Sequence, residues 1–162
     1  MAGLFNVHLL TINDLASRLL GLSAGRVPSE PLRKSVVREI LEEEGAQFCY
    51  FNAVKNFHGF HDLLIDVIKE FKAGLLTVKA FEKYSQRLLK DPVFRSKFRD
   101  FSLILKKYEA RLSELGLHEP EDEFLKVLDE IKKLEAPDLV IFDGFYHFTR
   151  AQKFLLKAVS RW

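Results

Sequence analysis

The chain has 162 residues, 48% of them apolar, with 15 Phe and a formal net charge of +2. That length suffices for one domain, or one domain and part of another, around a sizeable core, and the charge leaves nucleic-acid and protein partners both open. A lone cysteine, Cys49, excludes an intramolecular disulfide, and no apolar run or N-terminal leader pattern suggests a membrane span or secretion, so the expected compartment is cytoplasmic.

Leu4 to Leu10 reads as a short apolar strand. Thr11 and Asp14 are spaced as a capping box, opening a helix with Leu15, Leu19 and Leu22 on one face. Residues 25–31 form a loop, and Pro31 suits the first turn of the next helix. That helix runs to about Glu44, burying Leu32, Val36, Val37, Ile40 and Leu41, and Gly45 ends it. The aromatic-rich stretch from Ala46 to Phe57 is expected to be helical, with Cys49 in the core.

Gly59 starts a clearer helix, in which Phe60, Leu63, Leu64, Val67, Ile68 and Phe71 recur at helical spacing before Gly74. Another helix spans Thr77 to Leu89. Asp91-Pro92 then caps the longest one, where Phe94, Phe98, Phe101, Leu105, Tyr108, Leu112 and Leu115 alternate steps of four and three up to Gly116. Aromatic seam positions and short length favour packing within the chain over a dimeric coiled coil. Glu121 to Leu134 is a further amphipathic helix. Beyond Pro137, four apolar residues, Leu139 to Phe142, run into Asp143 as a second, buried parallel strand, and the last helix opens near Thr149. In that helix Phe154, Leu155, Val159 and Trp162 are expected to be partly uncovered, as in a piece cut from a longer polypeptide.

Charge is unevenly distributed. From Lys79 to Lys107 nine basic residues face three acidic ones, a net of +6, whereas from Glu109 to Glu135 nine acidic residues face four basic ones, a net of −5. Lys83, Arg87 and Lys90 share one helix face, and Arg95, Arg99 and Lys106 another, away from the apolar stripe. Two cationic rows of this kind suit a phosphate backbone, with Phe or Tyr between them available to stack on bases. His58, His61 and Asp62 lack the further convergent ligands a zinc site needs. Glu119, Glu121, Asp122 and Glu123 open a helix, where negative charge complements the dipole.

The segment LVIFDGFYHFTRAQ, residues 139–152, resembles the Walker B segment of superfamily I DNA helicases. Asp143, Phe145 and Gln152 fall on that pattern, Gly144 stands where the catalytic Glu belongs, and Tyr146 and His147 replace Gln and Asp. Val7 to Leu20 resembles the motif Ia strand and helix of the same family, departing from it at Ile12 and Asn13. Four stretches together take the resemblance to the AddB family, the B subunit of the bacterial ATP-dependent helicase–deoxyribonuclease, over nearly the whole chain. They are TINDLASRLL, the helix ending Glu70 to Leu75, the Tyr108 to Leu112 helix, and Asp143-Gly144-Phe145 before Thr149 and Gln152.

The resemblance implies a mainly α fold of six to eight helices with two short parallel strands near the ends, a helical 1B-type insertion in a RecA-like host. Residues 1–22 and 137–162 are then host remnants and 23–136 the helical domain. It implies a scaffold role in recombinational repair of double-strand breaks. No G-x-x-x-x-G-K-[ST] phosphate loop occurs in these residues, and Gly144 cannot orient water, so the chain is expected to have no catalytic activity and no cofactor. The family's nuclease residues and cluster cysteines do not match any segment here. The expected partners are DNA, through Lys83, Arg87, Lys90, Arg95, Arg99 and Lys106, and the helicase–nuclease partner subunit, with no membrane or small-molecule substrate. The rival reading is a helical protein-interaction module that uses the acidic segment.

Overall fold

Local signals set the helices of the computed structural model, which describes residues 7–21, 27–88, 90–133 and 137–160. Helix α1, Ile12–Leu19, opens on the complete Thr11–Asp14 capping box, and α2, Glu30–Glu43, opens on Ser29 with proline in its first turn. Helix α3 spans His58–Ala73, α4 Val78–Leu88 and α5 Pro92–Glu114. Asp91 caps α5 by accepting the Val93 N–H at 2.7 Å. Helix α6, Pro120–Glu130, runs into a 3-10 turn at Ile131–Lys133, and α7, Arg150–Val159, starts with a second capping box between Thr149 and Gln152.

Two hydrophobic cores result. The larger joins α2, α3, the start of α4 and α5 through Val36, Val37, Ile40, Leu64, Ile68, Phe71, Ile104, Leu105 and Leu112 among others. The smaller joins α1, α6 and α7 through Ile12, Ala16, Phe124, Val127, Ala151, Leu155 and Val159. The middle of the α5 stripe, from Phe101 to Leu112, is buried within the chain, while its ends, Phe94 and Leu115, are about half exposed. Helix α4 folds back antiparallel on the first half of α5, with Phe81 stacked on Phe98 at 4.8 Å and edge-on to Phe101.

The two cores meet at the first turn of α6. Glu119 accepts two hydrogen bonds from Arg33 of α2, at 3.0 and 2.7 Å, and one from the Tyr108 hydroxyl. Asp122 pairs with Lys72 of α3 at 2.9 Å, and Lys72 also holds Glu109 of α5. Glu123 takes Ser17 of α1 and His118. Burial pushes the Tyr108 hydroxyl upward, reinforced by Glu119, and the hydrogen bond to Glu119 raises Arg33. Burial alone disfavours charge on Lys72, but Asp122 and Glu109 outweigh it, so the ammonium is held.

Several expectations are corrected. Neither proposed strand is found among the described residues: residues 7–10 and 139–143 are irregular, Leu4, Phe5 and Asn6 lie outside the described residues, and the fold described is all-α. A strand exists only by pairing its backbone groups with a neighbour, and neither segment finds one. Leu139 and Ile141, expected to be buried, are 73% and 76% exposed. Residues 46–57 form two 3-10 turns, Gly45–Gln47 and Phe51–Ala53, rather than a helix, and Cys49 is exposed. On α3 the buried face includes Ile65 and Lys72, whereas Leu63 and Val67 point outward. In α7, Leu155 and Val159 are buried, and only Phe154 of the residues expected to be uncovered is exposed; Trp162 lies outside the described residues.

Candidate functional site

The α4–α5 hairpin carries most of the chain's concentrated positive charge. Lys83, Lys90, Arg95 and Arg99 are exposed, and none of them is ion-paired among the described residues. The Arg95 guanidinium instead donates to the Lys90 carbonyl at 3.3 Å, across the turn that joins the helices. Lys106 differs: it is exposed but paired with Glu82 of α4 at 2.6 Å, where it ties the two helices together. The Arg87 side chain lies outside the described residues.

The two carboxylates within the first three turns of α5 are both engaged by backbone N–H groups. Asp91 caps the helix. Asp100, 1% exposed, accepts from Cys49, Tyr50 and Phe51 at 3.2, 2.7 and 3.0 Å, fixing loop 48–51 against α5. One turn before it, Lys97 reaches the Tyr50 ring, with its ammonium 5.8 Å from the centroid. Sequence reasoning missed Asp100, Tyr50 and Lys97. The available signal was Asp100 itself, which lies four, eight and twelve residues before Ile104, Tyr108 and Leu112 and so on the buried face of α5.

The segment resembling Walker B is exposed from Leu139 to His147. Asp143 is exposed and accepts the adjacent Gly144 N–H at 2.8 Å. Gly144 has a φ of +76°, a left-handed conformation that glycine adopts without strain. Gln152 is used as a capping residue: its side-chain oxygen accepts the Thr149 N–H at 3.0 Å and its backbone N–H donates to the Thr149 hydroxyl. Phe145 stacks on Phe148, and Tyr146 is fully exposed.

A cavity of about 490 Å³ lies elsewhere, between the ends of α3 and α5 and the start of α6, lined in part by Lys72, Tyr108, His118, Glu121 and Asp122. Burial, with the charges of Glu119 and Asp122, raises the Glu121 carboxyl above the ordinary range. The acidic group at the start of α6 thus binds neighbouring helices, more than the capping expected of it. No cluster able to hold a metal occurs among the described residues. His61 bonds the Lys55 carbonyl at 2.7 Å and Asp62 pairs with Lys34 at 2.7 Å. No helix among the described residues is long and apolar enough to cross a membrane.

Comparison with known proteins gives this geometry its context. The chain is 25% identical over 99% of its length to the B subunit of the ATP-dependent helicase/deoxyribonuclease of Exiguobacterium sibiricum. It is 26% identical over 93% to the B subunit of the same enzyme from Clostridium tetani, and 27% over 92% to that from Desulforamulus reducens. The chain spans only 13–14% of the length of these relatives. A family profile described as "ADDB, N-terminal" matches residues 1–161, so the chain belongs to the AddB N-terminal family.

Proposed function

We propose that this chain is a non-catalytic part of a helicase–nuclease B subunit, acting in double-strand break repair, and that its α4–α5 hairpin contacts DNA. The observation that carries the reading is the group of cations Lys83, Lys90, Arg95 and Arg99, exposed and without carboxylate partners among the described residues, while the nearby Asp91 and Asp100 are consumed by backbone N–H groups. A surface of this kind releases counterions from a phosphate backbone on binding. The exposed apolar segment around Leu139, Ile141 and Tyr146 packs against the remainder of a longer subunit or its partner. ATP turnover is not a task of these residues, since Asp143 is followed by Gly144 and no phosphate loop accompanies it.

The protein-interaction reading that relied on the acidic segment is less favoured. Glu109, Glu119, Asp122 and Glu123 are spent on Lys72, Arg33, Ser17 and His118 inside the fold. Fluorescence anisotropy with a labelled short duplex at two salt concentrations tests the DNA reading. Binding is expected at low salt, and Arg99→Ala and Arg95→Ala should each weaken it and lower the slope of log K against log salt by about 0.9 per lost phosphate contact. Affinity that is absent at low salt, or indifferent to both substitutions, rejects it.

A further inference from the structure

The buried face of α5 does not stop where the core stops. Phe101 and Asp100 are buried, yet Phe94 and Val93, seven residues earlier and so about two turns back on the same face, are 52% and 58% exposed. Between them and the core sits Lys97, exposed, with its ammonium over the ring of Tyr50, itself 41% exposed. Tyr50 is held there because Asp100 binds the N–H groups of Cys49, Tyr50 and Phe51. Phe94 and Lys97, one turn apart on α5, with Tyr50 beside Lys97, thus lie toward the turn end of the hairpin, on a side of α5 separate from Arg95 and Arg99.

We propose that Tyr50, Phe94 and Lys97 form a stacking subsite for an unpaired nucleic-acid strand. The inference rests on the DNA-binding reading above and adds to it the form of DNA recognised. Charge complementarity selects a polyanion, because the stretch from Lys79 to Lys107 carries +6 and its carboxylates nearest these residues, Asp91 and Asp100, are occupied by N–H groups. The rings then distinguish between polyanions. A duplex keeps its bases stacked on one another and offers this face only phosphates, which gain nothing from exposed Phe and Val. An unpaired strand turns its bases outward, and each has a flat face to lay on an aromatic ring while a nearby ammonium meets its phosphate. Lys97 is loosely seated on Tyr50, at the outer limit of a cation–π contact, so it can exchange the ring for a phosphate as a base moves in. Asp100 is a positioning residue, acting only by fixing the loop that bears Tyr50.

The experiment compares a labelled twelve-nucleotide oligo(dT) with a labelled duplex of the same length, by anisotropy at low salt, on the 162-residue chain. Tyr50→Ala and Phe94→Ala are each expected to weaken oligo(dT) binding about fivefold or more, from the loss of one stacked base. Both should leave duplex binding unchanged, Tyr50→Phe should keep the oligo(dT) affinity, and Arg99→Ala should weaken both ligands. Phe94 lies outside the core, so its substitution tests the subsite without burdening the fold, and retained duplex binding checks that each variant is folded. Aromatic substitutions that leave oligo(dT) affinity intact, or that reduce both ligands equally, overturn the subsite. If Arg99→Ala still weakens the duplex in that case, the DNA-binding reading stands without it; binding of neither ligand by the unmodified chain overturns both.

Discussion

The carboxylate of Asp100 organises more of the chain than its place in a basic helix suggests. Three consecutive backbone N–H groups, from Cys49 to Phe51, would otherwise be left without partners beside α5. Asp100→Asn puts a donor where an acceptor is needed and removes the charge that strengthens the remaining bonds, so a loss of about 2 kcal/mol is expected in urea denaturation. A loss indistinguishable from zero would mean that the loop is not held this way. Glu121 behaves oppositely. Burial and its acidic neighbours raise its carboxyl in the folded state, so its contribution to stability is full below the unfolded value near 4.5 and is lost as pH rises through the folded one. Glu121→Gln should therefore raise the melting temperature at pH 7, and the gain should vanish on titration below that unfolded value. A gain that persists in acid would refute the assignment.

Helices were legible where their signals are local. The boxes at Thr11–Asp14 and Thr149–Gln152 and the Asp91-Pro92 start lie within a few residues of the backbone groups they satisfy, and all three form. Gly116 likewise ends α5 at φ +69°, where Leu117 N–H returns to the Leu112 carbonyl at 2.8 Å. Gly116→Ala meets open space but keeps the strained torsion, and thermal melts should show a loss of about 1 kcal/mol. No change would place the end of α5 outside the cooperative unit. Residues 46–57 misled because Phe48 and Phe51 reach the core from tight turns that depend on Asp100, fifty residues away in the chain. The LVIF run misled differently: its composition suits a buried strand, but strand identity depends on distant partners that no local pattern can specify.

At the scale of the molecule, the same division between local and distant causes governs how much of the candidate site could be read. The periodicity of α4 and α5 was enough to bring Lys83, Arg95 and Arg99 to the surface, but Lys90, expected on the same helix face as Lys83, lies in the turn beyond the end of α4, and no local pattern foretold that Lys106 would be claimed by Glu82. It could not have joined Tyr50 to Lys97 either, since that contact needs the loop to be folded back. Nor did composition reveal that the chain has two apolar centres, with α6 grouped with the first and last helices. These centres adjoin through directional contacts: Glu119 grips α2 and α5, and Asp122 grips α3. Greasy surfaces can slide or rotate past one another at little cost, whereas a guanidinium fork on a carboxylate tolerates a single bearing. The helices of one centre are thereby held at a set bearing to those of the other, as two arms are by a keyed shaft.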